Sequence, residues 1–275
     1  MMKIAVYAVP AGSGFGNKRA RYIAQRMARG CRRHGLQVLE RERFDGTVEA
    51  DVAVAYGWVH EPAFTTYKDA GAQFVYWDLG YWDRRPKDNS MDGHHRVGVN
   101  DWDTAEAMLR DCPGDRFKRL GIEPQEMQKL GNTIIIAGMS EKAAGTHGFA
   151  FGQWERETKE RLEGLQYRIV VRPKPNKSAP PQVPIQEALR GVRMLITHHS
   201  NAAIDALIMG VPCYAKKGVG RLASPRELTA EAIDTPYFPS RSERLQLFAD
   251  IAYAQWRPSE MESGIAWDYI KRCLR

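Results

Sequence analysis

At 275 residues, with 43% hydrophobic and 27% charged residues, the chain has the composition of a globular protein, which excludes disordered and collagen-like classes. No apolar run approaches the ~18 to 20 residues that a bilayer crossing needs, so no membrane span is expected. A net charge of +7 favours polyanionic partners, and the four scattered cysteines (Cys31, Cys112, Cys213, Cys273) form no C-x-x-C pair, so they support neither zinc nor a disulfide framework.

Strands and helices are expected to alternate along the whole chain, the pattern of parallel sheets covered by helices. Residues 4–9 read as a first strand. The apolar stretch over residues 1–9 is too short for a signal h-region and is followed by a glycine-rich loop instead of a cleavage site, so a cytoplasmic protein is expected. A loop, Gly12-Ser13-Gly14-Phe15-Gly16-Asn17, leads into a helix over residues 18–33. Its apolar positions Ala20, Ile23, Ala24, Met27 and Cys31 recur at helical spacing, and Lys18, Arg19, Arg21, Arg26, Arg29, Arg32 and Arg33 occupy the other face. Gly35 ends this helix. Residues 37–41, 51–56 and 72–77 read as further strands. The polar stretch 84–100 reads as irregular, followed by a short helix over 104–110. A boundary is expected between Gly121 and Gly131, giving domains 1–125 and 126–245 and a helical tail over 246–275. The second alternation runs through a strand at 133–137, a helix at 153–163 and a strand at 167–171. A proline-rich loop (173–184) then precedes a strand at 194–197, a helix at 202–209 stopped by Gly210 and Pro212, and a strand at 211–215.

The most informative segment is Leu195-Ile196-Thr197-His198-His199-Ser200-Asn201-Ala202-Ala203-Ile204-Asp205, continuing to Gly210-Val211-Pro212. It reads as strand, short polar loop and helix. Ser200 or Asn201 would cap the helix, whose free N–H groups suit a phosphate or diphosphate. Asp205, one turn in, can reach ribose hydroxyls. His198 and His199 fall at the strand's carboxyl end, where open α/β sheets bind ligands. Arg172 and Lys174 end the preceding strand and offer a clamp for phosphate oxygens. The turn holding Ser140 and Lys142 offers a second cradle. The bland alternative makes Ser200 and Asn201 mere caps and the histidines ordinary loop residues.

This stretch resembles the donor-binding segment of GT-B-fold glycosyltransferases, in the style of the capsule-polysaccharide and teichoic-acid-type enzymes. There a basic R/K-P-x-P strand ending precedes a Thr-x-x-Ser loop and an acidic-Ala-Leu-x-x-Gly-x-Pro helix. Arg172-Pro173-Lys174-Pro175 and the run from Thr197 to Pro212 supply these elements. Asp205 stands where the family has its ribose-binding glutamate, and Thr197 stands where the earlier glutamate of the E-x7-E motif would be. The resemblance implies an α/β fold of two Rossmann-like domains facing a cleft, a nucleotide-sugar donor, and chemistry with no cofactor and no obligatory metal.

For the first half, a dinucleotide site is disfavoured because the third glycine of the loop is misplaced and no acidic partner follows the second strand. Gly14, Asn17, Lys18, Arg19 and Arg21 are candidates for acceptor binding, the arginines as a stripe for the phosphates of a polynucleotide or simply as a solvated face. The segment Tyr76-Trp77-Asp78-Leu79-Gly80-Tyr81-Trp82-Asp83-Arg84 joins rings to carboxylates. Trp77 and Trp82 are candidates for stacking on an acceptor. Asp78 is the first choice of general base, with Asp83 and Asp101 behind it and His94 and His95 next. The segments Tyr76 to Arg84, Arg96-Val97-Gly98-Val99-Asn100, Arg172 to Pro175 and Thr197 to Asn201 together are also similar to bacteriophage-encoded proteins of glycosyltransferase type, which implies double-stranded DNA with hydroxymethylated bases as an acceptor. A glycan acceptor, a nucleotide-sugar hydrolase or epimerase, and a non-catalytic nucleic-acid-binding protein are the alternatives.

Overall fold

The computed structural model describes residues 1–8, 18–86, 91–174 and 182–274. The candidates Gly14 and Asn17 lie outside them. Two units result: Met1–Leu120 together with Ala249–Arg275, and Gly121–Phe248. The C-terminal segment, expected as a separate tail, therefore belongs to the first unit. In chain order the described strands are β1 (Lys3–Tyr7), β2 (Gln37–Arg41), β3 (Val52–Tyr56), β4 (Gln73–Leu79), β5 (His95–Val99), β6 (Thr133–Ala137), β7 (Arg168–Arg172), β8 (Val192–Thr197), β9 (Cys213–Ala215) and β10 (Gln255–Trp256).

The first unit holds a sheet of order β10-β5-β4-β3-β1-β2, in which β1 to β4 run parallel while β5 and β10 are antiparallel to their neighbours. Every residue of β3 is buried, as expected of a strand covered on both faces. On one face Phe64, Tyr67, Phe74 and Tyr76 form an aromatic core with Trp102 against it. The helix Lys18–Arg33 buries Ala20, Ile23, Ala24, Met27 and Cys31, the stripe that its spacing predicts. Gly30 lets it approach the helix Pro258–Ser263 closely: a Cβ there would lie 1.9 Å from the Met261 carbonyl oxygen.

The stretch 84–100 departs from the irregular reading, because its end forms β5. Val97 and Val99 are buried, and the polar residues that disguise the strand pair across the sheet with β4. The second unit's sheet, β7-β6-β8-β9, is parallel throughout. Ile134 and Ile136 are fully buried in it, packed with Trp154, Met194 and Ile196. No helix among the described residues is long and apolar enough to cross a membrane.

Candidate functional site

In a parallel sheet all strands end on one edge, so residues far apart in sequence gather there. In the second unit the register pairs Ala137 with both Arg172 and Thr197, and Thr197 with Ala215, so the four carboxyl ends are level. Beyond them lie Gly138 to Ser140, Arg172 to Lys174, His198 to Ser200, and Lys216 with Lys217. Backbone bonds lock these turns together: Gly138 N–H donates to Arg172 O (2.9 Å), Lys216 N–H to Thr197 O (3.1 Å) and Lys217 N–H to His198 O (2.7 Å). Thr197, standing where the resembled motif has a glutamate, is buried and acts as a pin. Its hydroxyl donates to Ala137 O (3.2 Å) and accepts from Ser200 N–H (3.2 Å).

Ser200 Oγ accepts from Ala202 N–H (3.2 Å), and Asn201, at the N-cap position of the helix Ala202–Ile208, makes no side-chain cap. Of the two expected caps, Ser200 therefore does the work. Asp205 accepts from Gln186 Nε2 (3.1 Å) and stays partly exposed. Arg172 donates to Val183 O (2.7 Å), Lys174 is exposed at the same edge, and Ser140 caps the helix Glu141–Thr146 next to exposed Lys142. The helix from Ala202 stops at Gly210 (φ 76°), where a Cβ would lie 2.0 Å from the Glu126 carbonyl oxygen.

His198 is buried at 2% exposure, with Trp154 and Phe149 edge-on to its ring at centroid distances of 5.7 Å. Burial first, then His199, His147, Lys216 and Lys217, push its pKa down to about 3, so it is neutral at pH 7. Its Nδ1 lies 2.9 Å from His199 Nδ1. His147, at the end of the helix Glu141–Thr146, brings its ring within 4.6 Å of His198 and 4.7 Å of His199. Sequence reasoning missed His147, whose partners come together only in the fold. It also missed Lys216 and Lys217, although a basic pair directly after a strand at this edge is a readable signal.

The first unit's carboxyl edge is built differently. Antiparallel β5 starts where β4 ends, setting Arg96 opposite Asp78 and His95 opposite Leu79. Asp78 accepts from Tyr76 Oη (2.8 Å), Leu79 N–H (2.7 Å) and an Arg96 guanidinium nitrogen (3.1 Å). Burial alone would raise its pKa. The Arg96 charge and the donated hydrogen bonds outweigh that and hold the carboxyl below its ordinary value. Arg19, in the first turn of its helix, reaches His95 Nε2 (3.2 Å). Arginine only donates, so Nε2 accepts and the neutral ring carries its proton on Nδ1. Burial first, then Arg19, lowers the His95 pKa to about 4.

Asp83 and Asp101 do not join Asp78. Asp83, in a left-handed backbone conformation (φ 46°), pairs with Arg257 and lines a cavity of about 360 Å³ with His94, Arg116 and Glu260. Asp101 follows β5, whose reversed direction puts the adjoining Asn100 beside Phe74 and Gln73, at the other end of β4 and roughly 13 Å of strand from Asp78. Trp77 is fully buried, so it cannot stack on an acceptor; successive strand residues point to opposite faces, and this one points into the core. Trp82 is part-buried against Phe117. Lys18 is exposed, but the arginines of its helix are largely engaged: Arg21 with Glu42, Arg26 and Arg29 with Glu262, and Arg32 with Glu40.

Two mainly parallel α/β units with their candidate residues at sheet edges define the class, an α/β protein of GT-B-like fold. No family model and no curated protein matches the chain. Among solved structures it is similar to the KpsC β-Kdo 2,4 transferase of Thermosulfurimonas dismutans, with a TM-score of 0.54 and 11% identity over 99% of this chain and 98% of that one. The β-Kdo 2,7 transferase of KpsC from the same organism aligns with a TM-score of 0.48 at 10% identity, over 97% and 99% of the two chains.

Proposed function

We propose that the protein is a glycosyltransferase that moves a sugar from a nucleotide-sugar donor to a hydroxyl of a glycan acceptor. The observation that carries this reading is the convergence of the four strand ends in the second unit. It gathers Arg172, Lys174, His198, His199, Ser200, Lys216 and Lys217 on one edge, in a fold similar over its whole length to a β-Kdo transferase. Cationic side chains there suit the donor phosphates, and Asp205, held by Gln186, suits the ribose hydroxyls. Asp78 supplies the base. About a third of its side chain is exposed (34%), so it is ionised yet reachable.

Thermal-shift screening against nucleotides and nucleotide-sugars tests the reading, since a ligand at about 100 times its Kd stabilises the fold by about 2.7 kcal/mol. Asp205→Ala is expected to weaken calorimetric nucleotide binding by roughly 10- to 100-fold, the worth of a hydrogen bond to a charged group, with the circular dichroism unchanged. Unaltered affinity would move the nucleotide elsewhere.

DNA as the acceptor has behind it only the net charge and the arginines of the helix Lys18–Arg33, and most of those arginines are already paired with carboxylates. The glycan reading therefore predicts a shallow log–log salt dependence for duplex binding, well short of the slope of about −0.9 per phosphate contact multiplied over several contacts. A steep slope that flattens when Arg19, Arg26 and Arg33 are changed to Gln would favour DNA instead.

A further inference from the structure

All three histidines of the second unit lie together, while the chain's other four, His34, His60, His94 and His95, belong to the first unit. One ligand nitrogen from each of His147, His198 and His199 falls within 4.8 Å of the others. We propose that these three imidazoles form a binding site for a zinc-class transition-metal dication. The donor set decides the metal class: imidazole nitrogen suits Zn²⁺, Co²⁺, Ni²⁺ and Cu²⁺, whereas Mg²⁺ and Ca²⁺ need oxygen ligands. Three protein ligands leave a tetrahedral ion one open position, the composition of zinc sites that hold water or substrate.

The geometry is close to what such an ion needs. Zinc–nitrogen bonds of about 2.0–2.1 Å set tetrahedral ligand nitrogens about 3.3 Å apart. The Nδ1 atoms of His198 and His199 are already 2.9 Å apart, a distance at which one must share a proton with the other. An ion would replace that shared proton. The ligand atoms all lie within 4.8 Å of one another, so none must close by more than about 1.5 Å, and partly exposed His147 and His199 can rotate toward the ion. His198 is fixed in the core by Trp154 and Phe149. Lys216 and Lys217, which oppose a cation here, are both exposed, so water screens them. If the donor-binding reading holds, the open position lies on the edge assigned to the donor phosphates, and the ion would add its charge there.

The experiment is a titration of the tag-free full chain, stripped with a chelator, with Co²⁺ in the absence of any nucleotide. We expect one equivalent to bind with the visible absorption of a tetrahedral nitrogen-ligated ion, to be displaced by Zn²⁺, and to be unaffected by excess Mg²⁺. His147→Gln and His199→Gln, whose side chains reach the surface, should each weaken binding on the order of 100-fold or more, since removing even an outer-sphere partner costs 10- to 100-fold. Circular dichroism should show both variants folded. Absence of the cobalt spectrum, or binding undiminished in both folded variants, overturns the site. Nucleotide affinity of the chelator-stripped chain is a separate readout, so failure of the metal site and failure of the donor reading are told apart.

Discussion

Arg116→Ala is expected to destabilise the first unit by about 3–5 kcal/mol, the usual cost of stranding one partner of a buried ion pair. The Arg116 side chain is only 9% exposed. Its guanidinium donates to both Glu260 oxygens (2.6 and 3.0 Å), to Ala252 O (3.1 Å) and to Gln255 O (3.0 Å), and lies 3.8 Å from the centre of a Trp256 ring. Alanine leaves Glu260 with only the Arg257 N–H as donor and leaves two carbonyls without theirs. Urea unfolding followed by tryptophan fluorescence reads this out, because six of the seven tryptophans (Trp58, Trp77, Trp82, Trp102, Trp256, Trp267) lie in this unit. Arg116→Lys, which keeps the charge but not the fork, should fall between wild type and alanine.

The same pair has a pH signature. Burial would raise the Glu260 pKa, but Arg116 and the Arg257 amide outweigh it and lower the value in the folded state. A depressed carboxyl contributes stability that is full above its unfolded pKa of about 4.3 and is lost as pH falls through the folded pKa. Arg116→Ala should therefore shrink the acid-side fall in stability while lowering the plateau at neutral pH. A loss under about 1 kcal/mol, the worth of a surface pair, would mean that the guanidinium does not anchor the returning C-terminal segment.

What the sequence made legible, and what it did not, follows from the range of the interactions. The helix Lys18–Arg33 and the buried runs of β3 and β6 carry their periodicity within themselves, and they form as expected. The strand β5 does not, because Arg96 is tolerated there through partners that only the fold supplies, Asp78 across the sheet among them. The return of the C-terminal segment to the first unit rests on long-range contacts, Arg116 with Glu260 and Gly30 with Met261, that no local pattern announces. The separation of Asp101 from Asp78 is hidden for the same reason: the two are near in sequence, but the antiparallel direction of β5 carries the chain back to the other end of β4 before Asp101. In the second unit His198, His199 and Ser200 were readable as a strand-end loop. Their meeting with His147 required the helix Glu141–Thr146 to be placed against that edge.

Asp78→Asn is expected to lower sugar transfer by about 10²- to 10⁴-fold, the typical contribution of a positioned general base, while donor affinity stays nearly unchanged. Asparagine keeps the size of the side chain, and its one oxygen can still accept from Leu79 N–H while its amide nitrogen donates to Tyr76 Oη, but it cannot take the proton of the attacking hydroxyl. Arg96 also holds Asp78 below its ordinary pKa, so the carboxylate is ionised throughout the neutral range. The sign follows: a depressed carboxyl supports folding fully above about 3.9, its unfolded value, and loses that support as pH falls through the folded pKa. Transfer should accordingly be insensitive to this group at neutral pH and fall only in acid. Removing the charge beside Arg96 also costs stability, so kcat must be compared well below the variant's Tm. A role confined to holding Arg96 predicts a lowered Tm with normal kcat. Tyr76→Phe separates the two further: it removes one donor and makes the carboxylate more basic, so a catalytic Asp78 should show its acid-side loss of kcat at higher pH. Asp101→Asn, at the far end of β4, should leave transfer intact, and Asp83→Asn should loosen Arg257 without abolishing turnover. Near-normal transfer in Asp78→Asn with a large loss in Asp83→Asn would shift the base to the loop after β4, beside His94 and the cavity that Asp83 lines.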